Sequence, residues 1–166
     1  MVSDTLPLHH SSQADVAADP ATLFAHLDDH RRLSAHMEKP SLMTAGASMR
    51  IEVDPQQGRS VGSQIRLSGR VLGLELQVQE VVVEHDSPRR KVWETRGTPR
   101  LLVIDAYRMG FSIEPRGATS RLTVFIDYSL PQRGLGRALG RWFGAMYARW
   151  CTQRMVADAV RAFPRP

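Results

Sequence analysis

Apolar and polar residues alternate with a period of two through the middle of this chain. Met49, Ile51 and Val53 alternate with Arg50, Glu52 and Asp54, the pattern of a strand with one face in a core. Pro55–Gly58 predicts a turn. Val61, Ile65 and Leu67 continue the inward series, with Arg66, Ser68 and Arg70 facing water. After Gly73, Leu74, Leu76 and Val78 alternate with Glu75, Gln77 and Gln79. Val81, Val82 and Val83 then interrupt the alternation, which marks a bulge or a stretch covered on both faces. Asp86-Ser87-Pro88 turns the chain. Lys91–Arg96 predicts a short strand centred on Trp93, Gly97–Arg100 a turn, and Leu101–Glu114 a long strand. Pro115–Thr119 predicts another turn and Ser120–Leu130 the last strand, which Pro131 ends.

The ends of the chain follow a different period. Residues 1–11 carry no pattern and are expected to form a loose tail that includes His9 and His10. Ser12–Ala18 predicts a short first strand with Ala14 and Val16 inward. Asp19 and Pro20 are an N-cap and a first-turn proline, opening a helix whose apolar face is Leu23, Phe24 and Leu27. His30–Glu38 predicts a second short helix carrying Leu33 and Met37, stopped by Pro40.

Gln132–Phe163 predicts one long amphipathic helix. At about 100° per residue, Leu135, Leu139, Trp142, Met146, Trp150, Ala157 and Val160 fall in one stripe. Phe143 lies at its edge and Tyr147 beyond, with Arg137 and Arg141 opposite. The expectation is that this stripe covers the sheet and roofs a cavity. Gly136, Gly140 and Gly144 repeat every four residues. Each costs a helix interior roughly 1 kcal/mol against alanine, which close packing on a neighbouring strand or loop would explain. Mobile first turns that admit a ligand, or a membrane-surface contact beside Arg133, Arg137 and Arg141, are the other readings.

Strand, two short helices, about six strands and one long helix, joined mostly by short turns, describe an α+β domain with an antiparallel meander. That order resembles the START-like, or Bet v 1-like, superfamily of polyketide cyclases/dehydrases and lipid-transport proteins. The matching stretches are Asp19-Pro20-Ala21-Thr22-Leu23-Phe24, Val61-Gly62-Ser63-Gln64-Ile65, and the last three strands around Arg89–Trp93, Tyr107–Glu114 and Ser120–Tyr128. The resemblance spans about residues 12–163 as a single domain. It implies a helix-grip fold, with a curved sheet of six to seven strands wrapped around the last helix. It also implies a small hydrophobic ligand such as a lipid, quinone or polyketide-like molecule.

Composition narrows the function classes. The chain has 166 residues, 42% hydrophobic and 23% charged, with a net charge of +5. Apart from Lys39 and Lys91 its basic residues are arginines, spread from Arg31 to Arg165. Nucleic-acid binding would cluster them with exposed aromatics, so nucleic acid is not the expected partner. Peripheral membrane contact, or an interaction through the basic face of the last helix, is the alternative use of that charge. Met1–Gln13 lacks the apolar core of a secretory signal, and a lone Cys151 suits a reducing compartment, so the cytoplasm is expected. Phosphate loops and dinucleotide fingerprints are absent, and no cofactor is expected.

Candidate site residues come from the inward registers. Trp93, Tyr107, Met109, Phe111 and Tyr128 on the strands, with Leu139, Trp142, Phe143, Met146 and Trp150 on the helix, form the expected ligand-binding set. Asp105 and Tyr107 share a register and are the weak catalytic candidates, a carboxylate beside a phenol suited to proton transfer. An enzyme of the cyclase/dehydratase kind is thus the alternative to a binding protein. His26 and His30 stand i, i+4, with Asp29 and His36 nearby, but lack a clear third ligand, and no metal is expected.

Overall fold

The computed structural model describes residues 6–35, 48–71 and 73–166. Met37, Glu38 and Pro40 lie outside the described residues. The elements are β1 (Leu8–Val16), α1 (Pro20–Leu27), α2 (His30–Leu33), β2 (Met49–Val53), β3 (Gln64–Val71), β4 (Leu74–Asp86), β5 (Arg90–Arg100), β6 (Tyr107–Arg116), β7 (Thr119–Tyr128) and α3 (Gly134–Ala162). The strands make one antiparallel sheet in the order β1-β7-β6-β5-β4-β3-β2. This is the α+β helix-grip architecture: a seven-stranded sheet curls around α3, with two short helices after the first strand.

The local chemistry explains the short helices. Asp19 caps α1 by accepting from the Thr22 amide, with Pro20 in the first turn. Asp29 caps α2 by accepting from the Arg31 and Arg32 amides. Leu23, Phe24 and Leu27 bury the inner face of α1, and Phe24 meets Phe111 of β6 edge-on at 5.5 Å. Met49, Ile51, Ile65, Leu67, Leu76 and Val78 are buried on the inner face of β2–β4, as their alternation predicts. The irregularity anticipated at the valine triplet falls between Val82 and Glu84.

Several expectations are corrected. The first strand begins at Leu8, not Ser12, because Leu8–Val16 pairs residue for residue with Tyr128–Ser120 of β7. His9 and His10 are therefore strand residues, and His10 Nδ1 sits 2.9 Å from Thr152 Oγ1 on α3. Ser12 Oγ lies at the same distance from that hydroxyl, so β1 and α3 share a polar pin. Val61 is exposed in the turn before β3, and Leu74 is exposed as the first residue of β4. No turn forms at Gly97–Arg100. Gly97, at φ +69, stays inside β5, which runs on to pair Arg100 with Gln77 past a register shift. The reversal moves to residues 101–106, and β6 starts at Tyr107.

The largest correction concerns α3. Its buried residues are Gly140, Gly144, Ala148, Cys151, Thr152, Met155, Val156 and Ala159, a face roughly opposite the predicted stripe at 100° per residue. Leu135, Trp142, Phe143, Met146 and Val160 are exposed. Small side chains let α3 lie close on β1 and β7, which large aromatics on that face would prevent. The glycine flank packs as the first of its three readings supposed. A Cβ on Gly140 would stand 3.0 Å from Pro131 Cδ and 3.0 Å from the Val103 carbonyl oxygen. One on Gly144 would stand 2.5 Å from Leu130 Cδ2 and 3.0 Å from the same oxygen.

These contacts set a sign. Alanine at both Gly140 and Gly144 would gain roughly 1 kcal/mol per site in helix propensity, but overpacking typically costs about 1–3 kcal/mol. The Gly140→Ala, Gly144→Ala double variant is expected to unfold at lower urea than the parent. A higher midpoint would mean that this end of α3 does not bear on residues 103, 130 and 131.

Candidate functional site

A cavity of about 40 Å³ lies between the inner face of the sheet and α3. Its walls are mostly apolar. Met49, Leu67, Val78, Trp93, Met109 and Ile126 come from the strands, Leu101 and Ile104 from the β5–β6 connection, and Tyr147, Cys151 and Met155 from α3. This volume holds a water or two rather than a ligand of ordinary size, for which sites run about 300–1,000 Å³.

Three polar side chains meet at Glu80: Glu80 and Tyr107 line the cavity, as does Ser34, while His30 reaches Glu80 from outside the lining. Glu80 sits in the middle of β4 and continues the inward series Leu76, Val78, Glu80, Val82; it is 3% exposed. A buried carboxylate is costly unless hydrogen bonds replace its water. The Tyr107 hydroxyl donates to Oε1, and His30 Nε2 donates to Oε2 at 3.1 Å. Tyr107 is the first residue of β6 and His30 the first of α2, so the carboxylate joins three separate elements. The His30 ring meets Trp93 edge-on at 5.1 Å. Its other nitrogen, Nδ1, is buried without a hydrogen-bond partner among the described residues. Burial pushes the Tyr107 phenol well above its ordinary value, and the neighbouring Glu80 adds to the effect. Burial likewise raises Tyr147 and pushes the Cys151 thiol up to about 12.

A second polar cluster closes the end of the sheet under α1. Lys91 is fully buried on β5. Its ammonium donates to Asp28 Oδ1 at 3.0 Å and to the Asp28 carbonyl at 3.1 Å. His85 Nε2 bonds the same carboxylate at 2.9 Å. Burial lowers the Lys91 pKa against the opposing pull of Asp28. Asp28 ends α1, so these bonds fasten the helix pair to β4 and β5.

The expected site residues part ways here. Trp93, Tyr107 and Met109 line the cavity. Phe111 packs on Phe24, away from it, and Tyr128 is buried outside the lining. On α3, Trp142, Phe143 and Met146 face outward, Leu139 and Trp150 are half-buried off the cavity, and Tyr147 and Cys151 take their place. Asp105 does not share Tyr107's register. It lies in the β5–β6 connection, where its amide bonds the Ser129 carbonyl, and Glu80 is the carboxylate that Tyr107 meets. His26 and His30 do not converge, since His26 stacks edge-on against Phe163. Glu80 was legible in principle: extending the Leu76, Val78 alternation by one step turns it inward, a signal blurred by the following valines.

Residues 8–164 match the family described as polyketide cyclase / dehydrase and lipid transport. No curated protein matches the sequence. Among solved structures, a Thermus thermophilus protein is 15% identical with a TM-score of 0.64, covering 93% of this chain and 98% of its own. The norcoclaurine synthase of Thalictrum flavum is 13% identical with a TM-score of 0.63, covering 93% and 85%. The Zhui aromatase/cyclase of a Streptomyces species is 14% identical with a TM-score of 0.63, covering 93% and 94%. At these identities the likeness is one of fold.

The buried acids predict alkaline lability. Tyr107 and Tyr147 have folded pKa values above the ordinary 10.0, and Cys151 above 9.0. A raised folded pKa gives stability that is full below the unfolded value and lost as pH climbs through the folded one. Lys91, lowered from 10.5, works in the opposite sense, its penalty easing as pH rises to the unfolded value. The groups that weaken with pH outnumber it, so the urea midpoint should fall from about pH 9 upward. Phenolate absorbance should rise with unfolding rather than near pH 10, and Tyr107→Phe should flatten the slope. Tyrosines that ionise at pH 10 in the folded protein would contradict this burial.

Proposed function

This chain belongs to the polyketide cyclase / dehydrase and lipid transport family, and on that premise we propose that it binds a small molecule with an apolar body and one polar group in the cavity under α3. The observation that carries the reading is the hydrogen-bonded Glu80–Tyr107 pair, braced by His30 from outside the lining, in a space that is apolar but for these two and Ser34. A few placed polar groups in an apolar lining orient a ligand while the walls supply affinity. A lipid, quinone or polyketide-like molecule has that chemistry. The small volume asks the walls to yield on binding. Met49, Met109 and Met155 line it, and methionine repacks at little cost, while the half-buried Leu101 and Tyr147 stand at its edge.

Native mass spectrometry of freshly purified protein, followed by organic extraction, tests this directly. The expected result is an extra mass that releases an apolar compound. Glu80→Gln should lower its occupancy several-fold at unchanged fold. Protein that stays empty after incubation with fatty acids, quinones and aromatic polyketides would overturn the reading.

A second reading, a dehydrating or cyclising enzyme, rests on Glu80, a cavity-wall carboxylate bonded to both the Tyr107 phenol and His30 Nε2. Such a set can pass a proton. It separates from simple binding by products: the parent would return the ligand together with its dehydrated form, and Glu80→Gln the hydrated form alone.

A further inference from the structure

The outward face of α3 is unlike that of an ordinary surface helix. Trp142 is 83% exposed and Leu135 68%, with Phe143 and Met146 about half exposed on the same side. Large apolar groups gathered within three turns mark an interaction surface. The charge along this part of the helix is of one sign. From Gln132 to Met155 the chain has five arginines, Arg133, Arg137, Arg141, Arg149 and Arg154, and no aspartate or glutamate. The ion pairs of α3 lie at its far end, where Arg154 and Arg161 meet Asp158. Among the described residues no carboxylate pairs with Arg133, Arg137, Arg141 or Arg149. The helix also starts with no acidic residue in its first turn and no side-chain cap, so the positive end of its dipole adds to the arginines.

We propose that the first half of α3 docks on an anionic lipid surface, with Trp142, Phe143, Leu135 and Met146 entering the acyl boundary, Arg149 beside them on headgroup phosphates, and the other arginines of this half adding long-range attraction. The shape favours lipid over a protein partner. These side chains stand on the convex ridge of one helix, and a fluid layer receives a ridge without a matching groove. Tryptophan is suited to that depth, having an apolar body and a single polar N–H. The glycine flank holds this half of α3 on Leu130, Pro131 and the Val103 carbonyl, so the ridge is presented by a fixed backbone. Tyr147, which lines the cavity, lies four positions, about one turn, along α3 from Phe143, so docking would bring the cavity within a turn of the bilayer. The surface itself does not depend on the ligand proposed above.

Co-sedimentation with vesicles tests the surface. The full chain should bind phosphatidylcholine/phosphatidylglycerol vesicles at low salt and bind pure phosphatidylcholine at least about tenfold more weakly. Binding should fall as salt is raised. Trp142→Ser with Phe143→Ser should reduce it about tenfold, as should Arg141→Glu with Arg149→Glu. The exposed positions leave the urea midpoint unchanged in either variant. No binding to anionic vesicles overturns the proposal. So does binding that survives the Trp142, Phe143 substitutions, since charge alone, or an acidic protein site, would then account for the surface. Ligand occupancy by native mass spectrometry should be unaltered in both variants, which keeps this result separate from the ligand test.

Discussion

A carboxylate buried in the middle of a sheet organises this molecule. Glu80 is out of water on the inner face of β4, and its two oxygens are satisfied by residues that open two other elements, Tyr107 of β6 and His30 of α2. Neither bond is local in sequence, so both form only when the sheet has closed and the short helices have seated. An unsatisfied charge there would cost several kcal/mol. Glu80 and Tyr107 also line the cavity, so the demand for satisfaction that shapes the fold also places the chemistry of the site.

The grip on α3 follows a second constraint, distance. A helix lies close to a sheet only where its side chains are small, and α3 turns glycines, alanines, a cysteine and a threonine inward. Thr152 adds specificity by meeting both His10 and Ser12 of β1. Close approach has two consequences. The space left under the helix is small, about 40 Å³, and the bulky residues of α3 are turned to solvent. One packing choice thus yields a tight cavity and an exposed aromatic ridge outside it. The end under α1 is closed differently, by Lys91 and His85 on the carboxylate of Asp28.

Much of the strand layout was legible because one face of each strand is buried and the side-chain period is two. Met49, Ile51, Ile65 and Leu67 followed it without exception. It failed where pairing overrides pattern. Leu8–Ser11 has no apolar alternation, yet β7 offers it backbone partners. Gly97 reads as a turn, yet β4 carries the strand past it. For α3 the hydrophobic stripe pointed the wrong way, since periodicity measures how apolar a face is, whereas fit against this sheet rewarded the smallest face.

The order of elements, the helix cap at Asp19, and the family resemblance were decided by the sequence itself, because caps, turns and period-two burial are local physics. The composition of the site was not. Trp93, Tyr107 and Met109 could be placed inward from their registers. That Tyr107 would meet Glu80 rather than Asp105, that His30 would complete the set, and that Tyr147 and Cys151 would replace Trp142 and Met146 at the cavity were decided only by tertiary structure. Those pairings join residues dozens of positions apart, and their energy comes from excluding water around all of them at once.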